Sequence, residues 1–190
     1  ALFFIIIIGF RWEVGTDWAT YHHVGLIFES GVWGDLEISQ LQSFPFGDFA
    51  YNLLYWIVID KLGFGFVGVQ LVGAVLFVVG LFSFCGKQPN RWLALAVSVP
   101  FMVIVVSMGF NRQGVALGFE LLGLVVLLRG NILGFMLCIL TGALFHKSLI
   151  LLLPLGVLAS NSRTFSAMFV AVPLFFVFFN VKSLEDLLGV

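Results

Sequence analysis

Three polar clusters interrupt an otherwise apolar sequence, and each has residue types suited to chemistry. The first is Arg11-Trp12-Glu13-Val14-Gly15-Thr16-Asp17-Trp18-Ala19-Thr20-Tyr21. On a helix, Asp17 and Tyr21 are one turn apart and share a face. Gly15 permits a tight turn or a close backbone approach, and Thr16 or Asp17 can cap a helix. The second is Asn111-Arg112-Gln113, which opens an apolar run. A guanidinium is always charged and grips phosphate through two parallel hydrogen bonds. Free backbone N–H groups at a helix N-terminus add to such an anion site. Glu120 lies two turns beyond Gln113 on the same face, expected to point into a bundle. The third is His146-Lys147-Ser148, in the middle of the apolar run 132–159. An imidazole titrates near neutral pH and serves as general acid or base.

Each cluster also has a structural reading. Arg11 can snorkel while Trp12, Trp18 and Trp33 form an interfacial aromatic belt. Arg112 can anchor a helix end, Glu120 can take part in a structural pairing, and His146 can mark a turn that needs polar residues. Ser148, His146 and Asp17 can be drawn as a triad, but no nucleophile elbow accompanies Ser148. No glycine-rich loop is present to cradle phosphate. Cys85 and Cys138 lack metal-ligand spacing and read as small buried hydrophobes.

The elements that position these clusters follow from composition. Of 190 residues, 61% are apolar and 10% are charged, with 23 phenylalanines and a net charge of −1. Mean hydropathy is +1.13. A soluble domain averages about 45–50% apolar and about 25% charged residues, so the bilayer is the expected solvent. Disorder is excluded on the same ground, and without a basic run nucleic acid is not an expected partner. The apolar runs are continuous rather than alternating, which indicates transmembrane helices and not a barrel. The fold class expected is therefore an all-α, polytopic transmembrane helical bundle with an N-terminal polar, interfacial loop region.

A crossing needs about 20 apolar residues. Residues 1–10 read as the end of a first span, and the whole of 1–190 as one integral-membrane domain that is part of a longer protein. Residues 11–47 read as an extracytoplasmic loop with short interfacial helices. The segment 48–62, bracketed by Asp48 and Asp60-Lys61, is short: it lies in the interface, re-enters, or spans a thinned bilayer. Spans are expected at 64–85, 92–108, 110–128 and 164–180, the last kinked at Pro173, with turns at 86–91 and 161–163. The run 132–159 is too long for one untilted helix. It is read as two short spans turning at His146, or alternatively as one broken helix. Lys87 with Arg91, then Arg129, then Arg163 fall in alternate turns and mark the cytoplasmic side. Arg11, Asp17, Arg112 and His146 then share the opposite face. Cation, carboxylate and imidazole converging there would suit a substrate that carries pyrophosphate at the lipid interface and a sugar acceptor in the polar loop.

At these residues the chain resembles the EpsG family. The resemblance lies in Arg11…Gly15-Thr16-Asp17…Tyr21, in Asn111-Arg112-Gln113…Ala116, and in Leu144-Phe145-His146-Lys147-Ser148-Leu149-Ile150, and it runs over nearly the whole chain. The family's Gly-x-Asp falls on Gly15 and Asp17, its Arg-Gln pair on Arg112 and Gln113, and its His-x-Ser on His146 and Ser148. The resemblance implies a multi-pass protein of the bacterial inner membrane, a Wzy-like polymerase of exopolysaccharide or capsule. Its substrate would be an undecaprenyl-pyrophosphate-linked oligosaccharide, its surroundings membrane lipid, and its neighbours other polysaccharide-assembly proteins. Neither metal nor nucleotide cofactor is expected. Arg112, Asp17 and His146 would be catalytic, and Arg11, Gly15, Tyr21, Gln113, Glu120 and Ser148 would bind substrate. A flippase of lipid-linked sugars, a non-catalytic assembly scaffold and a membrane acyltransferase with His146 as base are the alternatives. A transporter would place polar groups near the midplane of several spans, whereas here they gather at span ends.

Overall fold

Helix α4, Gly65–Cys85, forms the axis of the molecule. The computed structural model describes residues 1–30 and 48–159, and among these the fold is all-helical. Helix α4 carries no charged side chain along its 21 residues, and it is the one described helix long and apolar enough to cross a membrane. Shorter apolar helical stretches cover Arg91–Ser107, Ile132–Ala143 and Lys147–Gly156. The expected spans 64–85 and 110–128 match α4 and α6 (Asn111–Leu127) within a residue at each end.

The remaining elements precede and follow this axis. Helix α1 is Leu2–Gly9 and α2 is Trp18–Glu29. Helix α3, Phe49–Tyr55, widens into a π-helical segment, Trp56–Lys61. Helix α5, Arg91–Ser98, starts from Asn90, whose side chain accepts a hydrogen bond from the Leu93 N–H at 3.1 Å. It continues as a π-helical stretch, Val99–Ser107. Pro100 stands at the start of that stretch; it cannot donate to the helical ladder and crowds the preceding turn. Gly130, at φ +76°, lets the chain reverse after α6. Asn131 then caps α7, Ile132–Ala143, by accepting from the Gly134 N–H at 2.8 Å. The run 132–159 breaks at residues 144–146, where His146 is extended, with φ −154°. A 3₁₀ segment, Lys147–Leu152, and α8, Leu153–Leu158, complete it. The broken arrangement thus matches the expected turn at His146. The segment 31–47, the turn at 161–163 and the expected span 164–180 with Pro173 lie outside the described residues.

Close contacts set the helix directions. Phe4 packs edge-on against Phe82, while Gly9 meets Leu71, so α1 runs antiparallel to α4. Gly73 meets Val115 and Gly80 meets Gly118, so α4 and α6 run the same way. Gly134 meets Val126 and Gly142 meets Phe119, so α7 returns against α6. The turns at 86–90 and 128–131 therefore lie at one end of the bundle. The chain at 10–17, 108–110 and 144–146 lies at the other. Lys87, Arg91 and Arg129 stand at the end opposite Arg11, Arg112 and His146.

Three apolar clusters fill the interior. Tyr21, Phe28, Tyr51, Tyr55 and Phe66 join α2 and α3 to the start of α4. Phe77, Leu81, Val103 and Leu121 join α4, the π-helical stretch and α6. Phe135, Ile139, Leu149 and Leu153 join α7 to the segment after His146. Large apolar side chains are also exposed, among them Trp92, Val97, Phe101 and Leu133, each about two-thirds accessible. Apolar exposure on this scale is uncommon on water-facing monomers and natural on lipid-facing ones.

Gly15 shows how the first cluster is tied to this frame. Its φ is +106°, and a β-carbon there would lie 2.5 Å from the Met108 carbonyl oxygen and 2.8 Å from that of Gly109. The close backbone approach allowed by Gly15 is therefore used. Gly15→Ala combines a strained φ with a backbone clash and is expected to cost about 2 kcal/mol. A lowered unfolding midpoint of the purified protein would show it, and an unchanged midpoint would contradict this packing.

Candidate functional site

Arg112 sits in the first turn of α6, where the chain leaves the extended residue Phe110. Its Nη1 donates to the Asp48 carboxylate at 2.7 Å, and its Nε donates to the Tyr21 hydroxyl at 3.2 Å. Asp48 is buried, at 7% exposure, at the N-terminal boundary of α3. Tyr55 donates to the Tyr21 backbone carbonyl at 3.2 Å, which holds α2 against α3. The Ala50 N–H donates to the Leu144 carbonyl at 3.1 Å and ties the start of α3 to the turn that presents His146. A cation, a carboxylate and a phenol from three separate segments are thus locked together beside an imidazole.

Next to this cluster a groove of about 420 Å³ opens on the flank of α6. Gln113, Glu120, His146 and Ser148 line it together with Phe101, Met102, Val106, Leu117 and Leu149. Two of the three clusters therefore meet on one surface. Gln113 and Glu120 share a face as their spacing requires, and that face borders a groove lined by other elements of the bundle, with Gln113 itself exposed. Its lining mixes polar and hydrocarbon-like side chains, a combination suited to an amphiphile.

His146 lies in the turn after α7, outside the helices. Burial pushes its imidazole below the usual histidine range; Asp48's negative charge opposes that, while Arg112 and Lys147 add to it. The ring is therefore neutral at pH 7 and able to accept a proton. Its Nδ1 is buried without a hydrogen-bond partner. Activity that needs the neutral ring is expected to be full at neutral pH and to fall only as the pH drops below the ordinary histidine value of about 6.5. Asp48→Asn removes the charge that holds the proton, so this acid limb should move to lower pH. A pH–rate profile of the two proteins checks both, and a limb moving upward would overturn the assignment.

The first cluster is divided. Tyr21 joins Arg112. Its buried phenol is pushed up by desolvation and drawn down by the Arg112 hydrogen bond. Asp17 stands at the N-cap of α2 but makes no side-chain capping bond, so neither it nor Thr16 caps through a side-chain oxygen in the way their position allowed. Its charge is felt at Tyr21. Arg11 points elsewhere, into the interior, where its Nη1 donates to the carbonyls of Ser107 at 2.8 Å and Ile8 at 3.3 Å. Among the described residues no His, Cys, Asp or Glu group is arranged to hold a metal ion.

Asp48 is the site residue that sequence reasoning passed over. In the sequence it marks only the polar edge of an apolar segment. The signal available was its place directly before a helix start, with Tyr51 and Tyr55 following at helical spacing.

Among the described residues, an all-helical bundle with one membrane-length helix and broad apolar exposure fits a membrane protein, with an ionic cluster set beside a groove of mixed lining. A family model matches residues 1–189, and the chain belongs to the EpsG family, which is associated with polysaccharide biosynthesis. No curated protein and no solved structure matches the chain at a significant level.

Proposed function

We propose that the protein is a multi-pass polymerase of the bacterial inner membrane, joining undecaprenyl-pyrophosphate-linked oligosaccharide repeat units at the outer face. The observation that carries this reading is the groove that gathers Gln113, Glu120, His146 and Ser148 beside the Arg112–Asp48–Tyr21 cluster, with Phe101, Met102 and Val106 of the π-helical stretch also in its lining. Those apolar side chains would receive the polyprenyl chain. Arg112 would turn its guanidinium from Asp48 to the pyrophosphate, two anions of similar geometry. In the reaction the bond between the donor's anomeric carbon and the pyrophosphate oxygen breaks, and its electron pair stays on that oxygen. The acceptor hydroxyl attacks the anomeric carbon and passes its proton to the His146 imidazole, with Asp48 stabilising the imidazolium. Gln113, Glu120 and Ser148 supply hydrogen bonds to sugar or phosphate oxygens. In this scheme Asp48 takes the carboxylate role that the family resemblance implied for Asp17. Asp17, Gly15 and Arg11 shape and support the site.

The orientation is tested by single cysteines at positions 112 and 146, in a background lacking Cys85 and Cys138, probed with a membrane-impermeant thiol reagent. Labelling of both from outside the cell is the expected result. Labelling from inside only would overturn an outer-face site and would favour a flippase or an assembly scaffold.

A further inference from the structure

Arg11 poses a separate problem. It is 7% exposed, and among the described residues neither ion pair includes it. Its Nη1 is used by two carbonyls, but its Nε is buried with no acceptor. Of the other buried donors without a hydrogen bond of good geometry, two lie close by: Nε2 of Gln70, in α4, and Nδ2 of Asn111, at the start of α6, which has the Tyr51 hydroxyl beside it. Gln70 is 4% exposed and Asn111 is 8% exposed. All three residues line one small cavity of about 10 Å³, with Tyr51 and Ser107 also in its wall. Three such donors from three elements around one small space are not accidents of a surface. Buried polar groups are satisfied in the great majority of native sites, and a buried charge without a partner is expensive.

The occupant has to meet two demands. It must accept hydrogen bonds, because the three atoms are all donors. It must also offset a positive charge in a low-dielectric interior. Water meets the first demand in part, since it accepts about two hydrogen bonds and has two protons of its own to place. It does not meet the second. A phosphate meets both but is too large for a space of this size. We propose that the cavity is a binding site for a single small monovalent anion of chloride size, held by Arg11, Gln70 and Asn111. The ion would neutralise Arg11 and pin the end of α1 to α4 and α6. Arg112, the residue next to Asn111, would thereby be held in register against Asp48.

The test uses the purified protein in lipid nanodiscs. Thermal unfolding is followed by tryptophan fluorescence in sodium chloride, bromide or gluconate at equal ionic strength. A ligand bound only by the folded state raises stability with the logarithm of its concentration above Kd. Chloride and bromide are expected to raise the midpoint by several degrees over gluconate, with a logarithmic dependence on halide. Asn111→Asp or Gln70→Glu places a tethered carboxylate in the wall and should abolish the halide response while the protein still unfolds cooperatively. Two variants are used because either alone could fail to fold. Equal midpoints in chloride and gluconate for the unmodified protein would overturn the proposal and leave a water in the cavity. An undiminished halide response in both carboxylate variants would also overturn it, by placing the ion elsewhere.

Discussion

Arg112→Ala is expected to reduce polymer formation by about 10²–10³-fold, the usual cost of removing one preorganised charge from a developing anion. The same change strands the Asp48 carboxylate, which is only 7% exposed, without its 2.7 Å partner. Loss of one partner from a buried pair costs up to about 3–5 kcal/mol, and the partial exposure of Arg112 puts this case at the lower end. Activity and stability must therefore be separated. Arg112→Ala combined with Asp48→Asn removes both charges and should recover most of the stability but none of the polymer. Arg112→Lys keeps the charge but has no planar fork, so it cannot hold the Asp48 carboxylate and the Tyr21 hydroxyl as the two guanidinium nitrogens do. It should retain folding and lose about tenfold in rate, in line with one lost charge-assisted hydrogen bond. The measurement is polymer length and yield in cells, normalised to folded protein in the membrane. Full polymer from folded Arg112→Ala would eliminate Arg112 from the chemistry.

Gly118→Ala is expected to be among the most damaging single methyl additions in the fold. At Gly118 the backbones of α4 and α6 touch: an added β-carbon would lie 2.6 Å from the Leu76 carbonyl oxygen and 2.8 Å from the Phe77 α-carbon. Gly80, on the opposing helix, faces Gly118 at the same crossing. The neighbours are main-chain atoms, so no rotamer change can make room. Small residues at such crossings let helices approach closely where no hydrophobic effect drives them together. Overpacking of this kind costs about 3 kcal/mol, a large part of a total stability of about 5–15 kcal/mol. Separation of α4 from α6 would also pull Arg112 and Gln113 away from Asp48 and His146, so activity should fall with stability. Gly109→Ala serves as the control, because nothing lies within 4 Å of its added β-carbon. Unfolding midpoints in detergent compare the two. Equal midpoints would mean that the crossing is looser than described.

The sequence by itself determined the all-helical, strongly apolar character of the chain and the boundaries of its long helices. Hydropathy is a local property, and the limits of α4 and α6 follow from where apolar runs stop at Gly63, Gly86, Asn111 and Arg129. The break at His146 was also legible, because the run 132–159 exceeds one bilayer crossing and has its polar residues at the centre. The polar clusters themselves stood out because ionisable groups are rare in this composition. Less legible was the helix-breaking detail: the π-helical stretches at Trp56–Lys61 and Val99–Ser107 depend on packing and on a displaced hydrogen-bond ladder. Only the tertiary structure decided which residues act together. The Arg112 hydrogen bonds span 64 positions to Asp48 and 91 to Tyr21, and no local spacing encodes such pairs. Arg11 and Arg112 look equivalent in sequence, each at the edge of an apolar run. One is turned into the buried interior and the other faces the carboxylate, because the direction of a side chain at a helix end is set by the helices that cross there.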